Sequence, residues 1–440
     1  MEIRTNPTTK MSRSTSITLK AIIIVVLTLM MLIPNAMIRE LIRERKYRSE
    51  ETIEKINDKW SHAQTLYGPV LVVPYTTTVT EDDKRVTQHE HELCITPEKL
   101  AIETKLFPEE RHYGIYKAIV YKSEEVITGN FAGFDFSKLD GSEIHFDKAY
   151  IAIGMSDLRG LTGILSTKCN GRSYELEPSG SEANVRLLSF LLGDREALQS
   201  GKSLTFDYRF SLNGSSSINY VPLGKTTEVR VSGDWASPSY TGDFSPEILS
   251  AQSGFDVKWN ILSFNRNIAE YWTDHPGREF SSSSPIFGVY LLDSVDHYQQ
   301  NDRSAKYASL FIILTFVVFF FVELLTRKKI HPIQYLLVGI SLLLFFTLLL
   351  SLSEHLHFGW SYLLASVSTV GMITLYSQTI FANRTLTGIL GLTLSALYIF
   401  LYTVLQLEDI ALLIGSIGLF AILAVLMYVS RKVNWYRHDE

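Results

Sequence analysis

Cysteine is scarce in this sequence, with 2 residues among 440. A scaffold held together by several disulfides is therefore excluded, because at most one bridge, between Cys94 and Cys169, can form. Such a bridge would need an oxidising compartment, and the sequence leaves open whether the two thiols meet.

Standard catalytic motifs are also missing. The Gly-Lys-Ser run at 201–203 would need a glycine at position 196 to form a phosphate-binding loop, but Glu196 is found there. The Gly-Met-Ser run at 154–156 lacks the glycine that a nucleophile elbow needs two residues after its serine. The zinc motif HExxH does not occur. The sequence therefore predicts a protein that is not an enzyme and that uses no cofactor.

Basic residues are not in excess. Between positions 39 and 306, 30 Lys and Arg are outnumbered by 39 Asp and Glu, which gives this segment a net charge of −9. Because no basic stripe offsets this charge, nucleic acid is excluded as a partner.

Long apolar runs are the main feature that the sequence does have. Each contains about 18–23 residues, which at roughly 1.5 Å per residue crosses a hydrocarbon core of about 30 Å. Strict alternation of apolar and polar residues is absent, so helices are favoured over a barrel. The fold class predicted is six transmembrane helices with a large inserted β-rich domain. The runs are 21–38, 307–325, 333–353, 360–382, 386–406 and 410–430.

Charged and small residues within these runs predict specific contacts. Glu323 is the single acid in the second run and lies one turn before Arg327, which predicts an ion pair at the membrane interface. Ala411, Gly415 and Gly418 are small residues at helical spacing, which predicts close packing of the last helix.

The basic residues outside 39–306 predict the orientation in the membrane. If the N-terminus is cytoplasmic and all six runs span, all 11 of them lie on the cytoplasmic side, in agreement with the positive-inside rule. Residues 1–20 and 431–440 are then cytoplasmic tails, and 39–306 is periplasmic. Five basic residues just after the first run lie on the periplasmic side in this orientation, against the positive-inside rule. They alternate with acids and precede a large domain, where the rule weakens. They are Arg39, Arg43, Arg45, Lys46 and Arg48.

The first apolar run allows two interpretations. Its basic lead resembles that of a signal peptide, but Pro34-Asn35-Ala36 is a poor small-x-small cleavage site because proline occupies its first position. We therefore expect 21–38 to remain attached as a membrane anchor.

The periplasmic segment has two kinds of pattern. Residues 36–62 predict a helical stalk, with favourable i,i+4 pairs such as Glu51 and Lys55. From Gly68 onward, short β-branched and aromatic runs separated by Gly, Pro, Asn and Ser predict a β-rich domain, with two packed sheets as one arrangement. Residues 181–200 are predicted to add an inserted helix or two.

A polar stretch follows the third apolar run, where Glu354, His355 and His357 occur within four residues. Glu408 and Asp409 form the second turn on the same predicted side of the membrane. One interpretation is a polar cap at the outer end of the bundle, and the other is a metal site using the acid and the two imidazoles. The cap is favoured because His355 and His357 point apart on a helix.

Seven stretches are distinctive when taken together: GPVLVVPY (68–75), YGIYKAIVY (113–121), WASPSYTGDF (235–244), KYASLFIILTFVVFFFVELL (306–325), HPIQYLLVGISLLLFFTLLLSLSEHLHF (331–358), LQLEDIALLIGSIGLF (405–420) and RKVNWY (431–436). They resemble the CreD family of bacterial inner-membrane proteins. The resemblance implies a Gram-negative inner membrane, a periplasmic domain and a role in envelope stress and integrity, but no reaction and no catalytic residues.

Three functions remain open at this stage. The favoured one is a non-enzymatic envelope-integrity protein that senses or contacts a periplasmic protein, lipid or other envelope component. The second is a transporter or permease accessory that passes a lipid or hydrophobic ligand between the domain and the membrane bundle. The third is a metalloenzyme at the membrane surface. The lipid bilayer is a partner in each, and the oligomeric state is left open.

Overall fold

The structure is a computed structural model, and it describes 13–80, 86–139, 141–182, 185–193, 195–251, 254–276, 284–291, 297–326, 330–407 and 410–431. The chain divides into two compact units. Residues Met1–Glu50 and Val295–Glu440 form the first, called here the bundle unit, and Glu51–Ser294 form the second, called the β unit.

Helices make up most of the bundle unit. The longest, α1, contains 48 residues and continues past the bundle unit into the β unit. In the described part of the chain, the α-helices, of which α2 lies in the β unit, are α1 Arg13–Trp60, α2 Arg195–Gln199, α3 His297–Lys306, α4 Ala308–Thr326, α5 Pro332–Ser353, α6 Phe358–Phe381, α7 Arg384–Gln406 and α8 Ala411–Ser430.

Local sequence explains where several helices begin. Pro332 occupies the first position of α5, where its missing N–H costs nothing, and the His331 side chain caps the helix. Asn383 caps α7 by accepting hydrogen bonds from the backbone N–H groups of Thr385 and Leu386. Such caps satisfy donors that a helix start leaves unpaired.

Five helices are long and apolar enough to cross a membrane: Thr18–Trp60, Pro332–Ser353, Phe358–Phe381, Arg384–Gln406 and Leu413–Ser430. A sixth span exists if His297–Lys306 and Ala308–Leu324, which meet at a bend of 41°, count as one. The chain is thus a membrane protein with several apolar helices and a large β-rich unit, and the count of six spans stays a prediction.

Two sheets build the β unit. The 10-stranded sheet has the order β14-β18-β12-β1-β6-β10-β9, with β2 and β5 paired to β1 and β17 paired to β2, and the 8-stranded sheet has the order β15-β16-β13-β3-β4-β11-β7-β8. The strands are β1 Gln64–Thr80, β2 Val86–Ile95, β3 Lys99–Tyr113, β4 Tyr116–Phe131, β5 Ser142–Ile144, β6 Tyr150–Met155, β7 Leu161–Cys169, β8 Arg172–Ser173, β9 Glu177–Glu182, β10 Val185–Leu191, β11 Leu204–Ser215, β12 Ser217–Tyr220, β13 Thr226–Gly233, β14 Pro238–Gly242, β15 Glu247–Ser250, β16 Phe255–Leu262, β17 Tyr271–Thr273 and β18 Phe287–Leu291.

The main core of the β unit lies between these sheets, which confirms the two-sheet interpretation. Trp259 and Phe210 of the 8-stranded sheet are buried in the same cluster as Phe287 of the 10-stranded sheet. A second, smaller cluster covers the other face of the 10-stranded sheet and includes Val70 and Trp272. The 10-stranded sheet is therefore apolar on both faces.

The helical prediction for 181–200 is wrong for most of its length. This segment contains the end of β9, the strand β10 and only the short helix α2. In β10, Val185 and Leu187 pack into one cluster while Leu188 and Phe190 pack into the other. Because β10 buries residues on both faces, its apolar residues do not alternate strictly with polar ones, and periodicity does not distinguish such a strand from a buried helix.

The two cysteines do not form a disulfide with each other. Cys94 is buried in the smaller cluster and Cys169 in the main core, so the two thiols lie on opposite sides of the 10-stranded sheet. The Cys94 thiol donates to the carbonyl of Asp274 at 3.1 Å.

Candidate functional site

Glu354, one residue of the predicted polar cap, contacts groups that the sequence did not connect with it. Glu354 directly follows α5, and its carboxylate accepts a hydrogen bond from the Tyr298 hydroxyl of α3 at 3.3 Å. Its other oxygen lies 3.8 Å from the Arg45 guanidinium of α1. One carboxylate therefore connects three helices of the bundle unit.

A second group of polar contacts links the same three helices. Asn301 of α3 is buried, and its amide donates to the Ser353 hydroxyl at 2.8 Å and to the His297 carbonyl at 2.7 Å. Asp302 pairs with Lys306 at 2.7 Å and lies 3.9 Å from Arg39 of α1. Arg39 and Arg45 are two of the five basic residues that follow the first apolar run. Both therefore have acidic partners within the bundle unit.

The two histidines of the predicted cap have separate surroundings. His357 caps α6, where its Nδ1 accepts a hydrogen bond from the Gly359 backbone N–H at 3.3 Å, and its side chain is exposed. The His355 side chain is exposed as well. Glu408 and Asp409 lie outside the described residues, so a cap shared by both turns stays a prediction. Among the described residues, no three His, Cys, Asp or Glu side chains come together as a metal site.

Glu323 is a buried acid of the bundle unit. Its carboxylate accepts hydrogen bonds from the Ile330 backbone N–H at 3.0 Å and from the Tyr335 hydroxyl at 3.1 Å, and it pairs with Lys20 of α1. The predicted partner, Arg327, lies outside the described residues. Lys20 and Glu323 are 303 positions apart, and no sequence feature relates them.

The predicted packing residues of α8 differ in their surroundings. A Cβ atom added to Gly418 would lie 2.2 Å from the Phe400 ring of α7, so this glycine sits at a close helix contact. A Cβ atom added to Gly415 would meet no described atom within 4 Å. The Ala411 side chain lies outside the described part of the chain.

An apolar cavity of about 370 Å³ lies between α4, α7 and α8. Leu314, Leu397 and Val425 are among its lining residues. The hydroxyl of Thr315 is also buried there and has no hydrogen-bond partner in the described part of the chain. Nothing in the sequence predicted this cavity, because it depends on the spacing of three helices.

The end of α1 is anchored in the β unit by a charged cluster. The Arg159 guanidinium donates to the Asp157 carboxylate at 2.9 Å and to the Asp58 carbonyl at 3.1 Å. Asp157 also accepts from the His62 backbone N–H at 3.3 Å. Burial favours a higher pKa for Asp157, but the hydrogen bonds from Arg159 and His62 hold its pKa well below the usual range.

Trp60, the last residue of α1, makes two further contacts inside the β unit. Its indole N–H donates to the Tyr121 carbonyl of β4 at 3.3 Å. The Arg111 guanidinium of β3 stacks 3.7 Å above its ring. An indole held by a hydrogen bond and a cation–π contact fixes the helix end to the 8-stranded sheet.

Comparison with known proteins gives two matches. The family model described as "Inner membrane protein CreD" matches residues 16–436. The inner membrane protein CreD of Escherichia coli (strain K12) is 32% identical over 413 residues, which cover 93% of this chain and 91% of that protein.

Proposed function

The chain belongs to the CreD family of inner membrane proteins, as its motifs predicted, and from this membership we propose a role in envelope integrity. In this proposal the protein is not an enzyme. The β unit faces the periplasm and contacts an envelope component there, and the bundle unit responds. The orientation rests on the one-sided distribution of basic residues around the apolar runs.

The continuous helix α1 is the observation that carries the proposal. Its 48 residues would extend about 72 Å, and its single internal proline, Pro34, does not interrupt it. Lys20, Arg39 and Arg45 pair with acids of the bundle unit. Asp58 and Trp60 are bound within the β unit. A single helix with polar contacts in both units supports a protein in which binding at one unit affects the other.

The test interrupts α1 at an exposed position. Arg48→Pro removes a backbone hydrogen bond and should cost about 3 kcal/mol of helix stability, whereas Arg48→Ala keeps the helix. Both remove the same exposed ion pair with Glu44, which makes them matched. We expect Arg48→Ala, but not Arg48→Pro, to restore detergent resistance to cells that lack the protein.

Membrane levels of both variants must be equal, as measured by immunoblotting. Should Arg48→Pro fail to accumulate, Arg48→Gly takes its place, because glycine weakens the helix by only about 1 kcal/mol. Equal resistance from the helix-breaking variant and Arg48→Ala would contradict the proposal.

The apolar cavity favours a second function, the handling of a lipid or another hydrophobic ligand. A slot lined by aliphatic side chains with one unpaired hydroxyl, Thr315, matches an acyl chain that carries an ester or hydroxyl group. Ala421→Trp would fill the slot, and Leu423→Trp adds the same side chain on α8 away from its lining. Mass spectrometry of copurified lipids should show a loss for Ala421→Trp alone, and equal lipid content in both variants would contradict this function.

A further inference from the structure

A carboxyl group is buried between the two sheets of the β unit. Glu125 lies on β4, and 1% of its surface is exposed, while the preceding Glu124 is exposed on the opposite face of the strand. The alternation along β4 therefore directs Glu125 into the main core.

Hydroxyl groups form a chain that ends at Glu125. The Tyr220 hydroxyl of β12, in the 10-stranded sheet, donates to the Thr104 hydroxyl of β3 at 2.6 Å. The Thr104 hydroxyl donates in turn to Oε2 of Glu125 at 2.5 Å. This series of hydrogen bonds thus crosses from the 10-stranded sheet to the 8-stranded sheet through a single threonine, Thr104. The other oxygen, Oε1, is buried without a hydrogen-bond partner among the described residues.

The groups around Glu125 supply no positive charge. Thr104 and Phe210 are its neighbours on the adjacent strands β3 and β11. The titratable groups that face it are the buried hydroxyls of Tyr121 on its own strand and Tyr220 on β12. No basic side chain within the described ranges lies within 4 Å of its carboxylate.

An ionised carboxylate is unfavourable in these surroundings. Burial without a compensating charge disfavours the ionised form, and one oxygen would lose its water without gaining a donor. Burial accordingly raises the pKa of Glu125 to about 7, although the hydrogen bond from Thr104 acts in the opposite direction. The carboxyl group is therefore neutral in acid and becomes charged near neutral pH.

We propose that Glu125 is a proton-binding switch that controls how tightly the two sheets of the β unit pack. With the proton bound, the group is compatible with the closed core. Without it, the charge favours entry of water and loosens β4 from β12 across the core. The switch would make the β unit respond to the pH of the compartment that it faces, and it stands independently of any envelope partner.

The direction of the pH dependence follows from linkage. The folded β unit holds the proton more tightly than the unfolded chain does, where the group has its ordinary pKa of 4.5. Proton binding by Glu125 therefore stabilises the folded β unit fully below pH 4.5. This stabilisation decreases as pH rises and is lost above the folded-state pKa of about 7.

Hydrogen exchange of the full-length protein in detergent tests the switch. Peptides from β3, β4 and β12 are followed by mass spectrometry from about pH 5 to about pH 8, with rates corrected for the intrinsic pH dependence of exchange. We expect their protection in the unchanged protein to fall as the pH approaches 7. Glu125→Gln should remove this fall, whereas Glu124→Gln, an exposed change on the same strand, should retain it.

A second variant identifies the titrating group. Thr104→Val removes a hydrogen bond that favours the ionised form, so the midpoint of the fall should move to higher pH. A purely structural role for Thr104 would lower protection at every pH without moving the midpoint. If Glu125→Gln does not fold, the midpoint of Thr104→Val decides. Three results would each overturn the proposal. They are protection that does not change with pH in the unchanged protein, a fall in protection that persists in Glu125→Gln, and a midpoint that does not move in Thr104→Val.

Discussion

Three buried ionisable side chains in the described part of the chain are accommodated in three different ways. Glu323 receives an amide, a hydroxyl and an ammonium group. Arg266 donates to the carbonyls of Leu223, Gly224 and Ile268, and its burial lowers its pKa. Glu125 has a hydroxyl donor on one oxygen only. The first two are structurally satisfied, and the third is left able to respond to pH.

Removal of the Glu323 carboxylate should weaken the bundle unit. Glu323→Ala leaves the Tyr335 hydroxyl and the Ile330 N–H without their acceptor and leaves Lys20 without its counter-charge, so we expect a loss of about 3–5 kcal/mol. Thermal unfolding of the helical circular dichroism signal in detergent measures the loss.

The control is the exposed pair Glu44 and Arg48 on α1. Glu44→Ala should change stability by only about 0.3–0.5 kcal/mol, because water and salt screen this pair. Similar losses in the two variants would mean that Glu323 contributes no more than a surface charge.

Among the elements, α8 depends on few contacts. No residue in its most apolar 18-residue window is buried inside the structure, whereas half of the corresponding window of α5 is. A helix this apolar and this uncovered is suited to face lipid, and its attachment to α7 rests on a few close approaches. Gly418 against Phe400 is one of them.

Substitution of the two α8 glycines should separate packing from helix propensity. Gly418→Val places branched atoms where the Phe400 ring lies, and we expect it to cost about 1–3 kcal/mol. Gly415→Val makes the same change in intrinsic helix propensity, but a Cβ atom at this position has no described atom within 4 Å. Resistance of the bundle unit to unfolding in detergent compares them, and equal stability would show that the Gly418 contact does not hold α8.

In the whole molecule, the β unit is an insertion between the first membrane helix and the remaining helices. The chain leaves the bundle unit after Glu50 and returns to it at Val295. The N-terminal part of α1 and the helices after 297 therefore contribute to one compact unit although the β unit separates them in sequence. Ion pairs from Lys20 and Arg45 of α1 to Glu323 and Glu354 link this helix to the rest of that unit.

The orientation of this arrangement in the membrane is a prediction that protease accessibility can test. Protease added to sealed spheroplasts should cleave within 39–306 and leave the tail 431–440 intact, because the 11 flanking basic residues predict cytoplasmic ends. An epitope at the C-terminus reports the tail, and permeabilised spheroplasts provide the control in which it is lost. Loss of the epitope in sealed spheroplasts would contradict a cytoplasmic C-terminus and so the predicted topology.

The sequence by itself determined the classes of element. An apolar run long enough to span a bilayer must satisfy its own backbone groups and therefore forms a helix whatever its neighbours are. Short β-branched runs between turn residues likewise predicted the β-rich domain. The prediction failed at 181–200, where burial on two faces removed the alternation that identifies a strand.

Only the tertiary structure decided the partners of individual polar groups. Lys20 meets Glu323 across 303 positions, and Tyr220 reaches Glu125 through a threonine of another strand. The sequence shows the same residue type in the exposed Glu124 and the buried Glu125, and their difference depends on which face of β4 meets the opposite sheet. Local patterns specify backbone conformation, whereas the environment of a charge is set by residues that folding brings from distant parts of the chain.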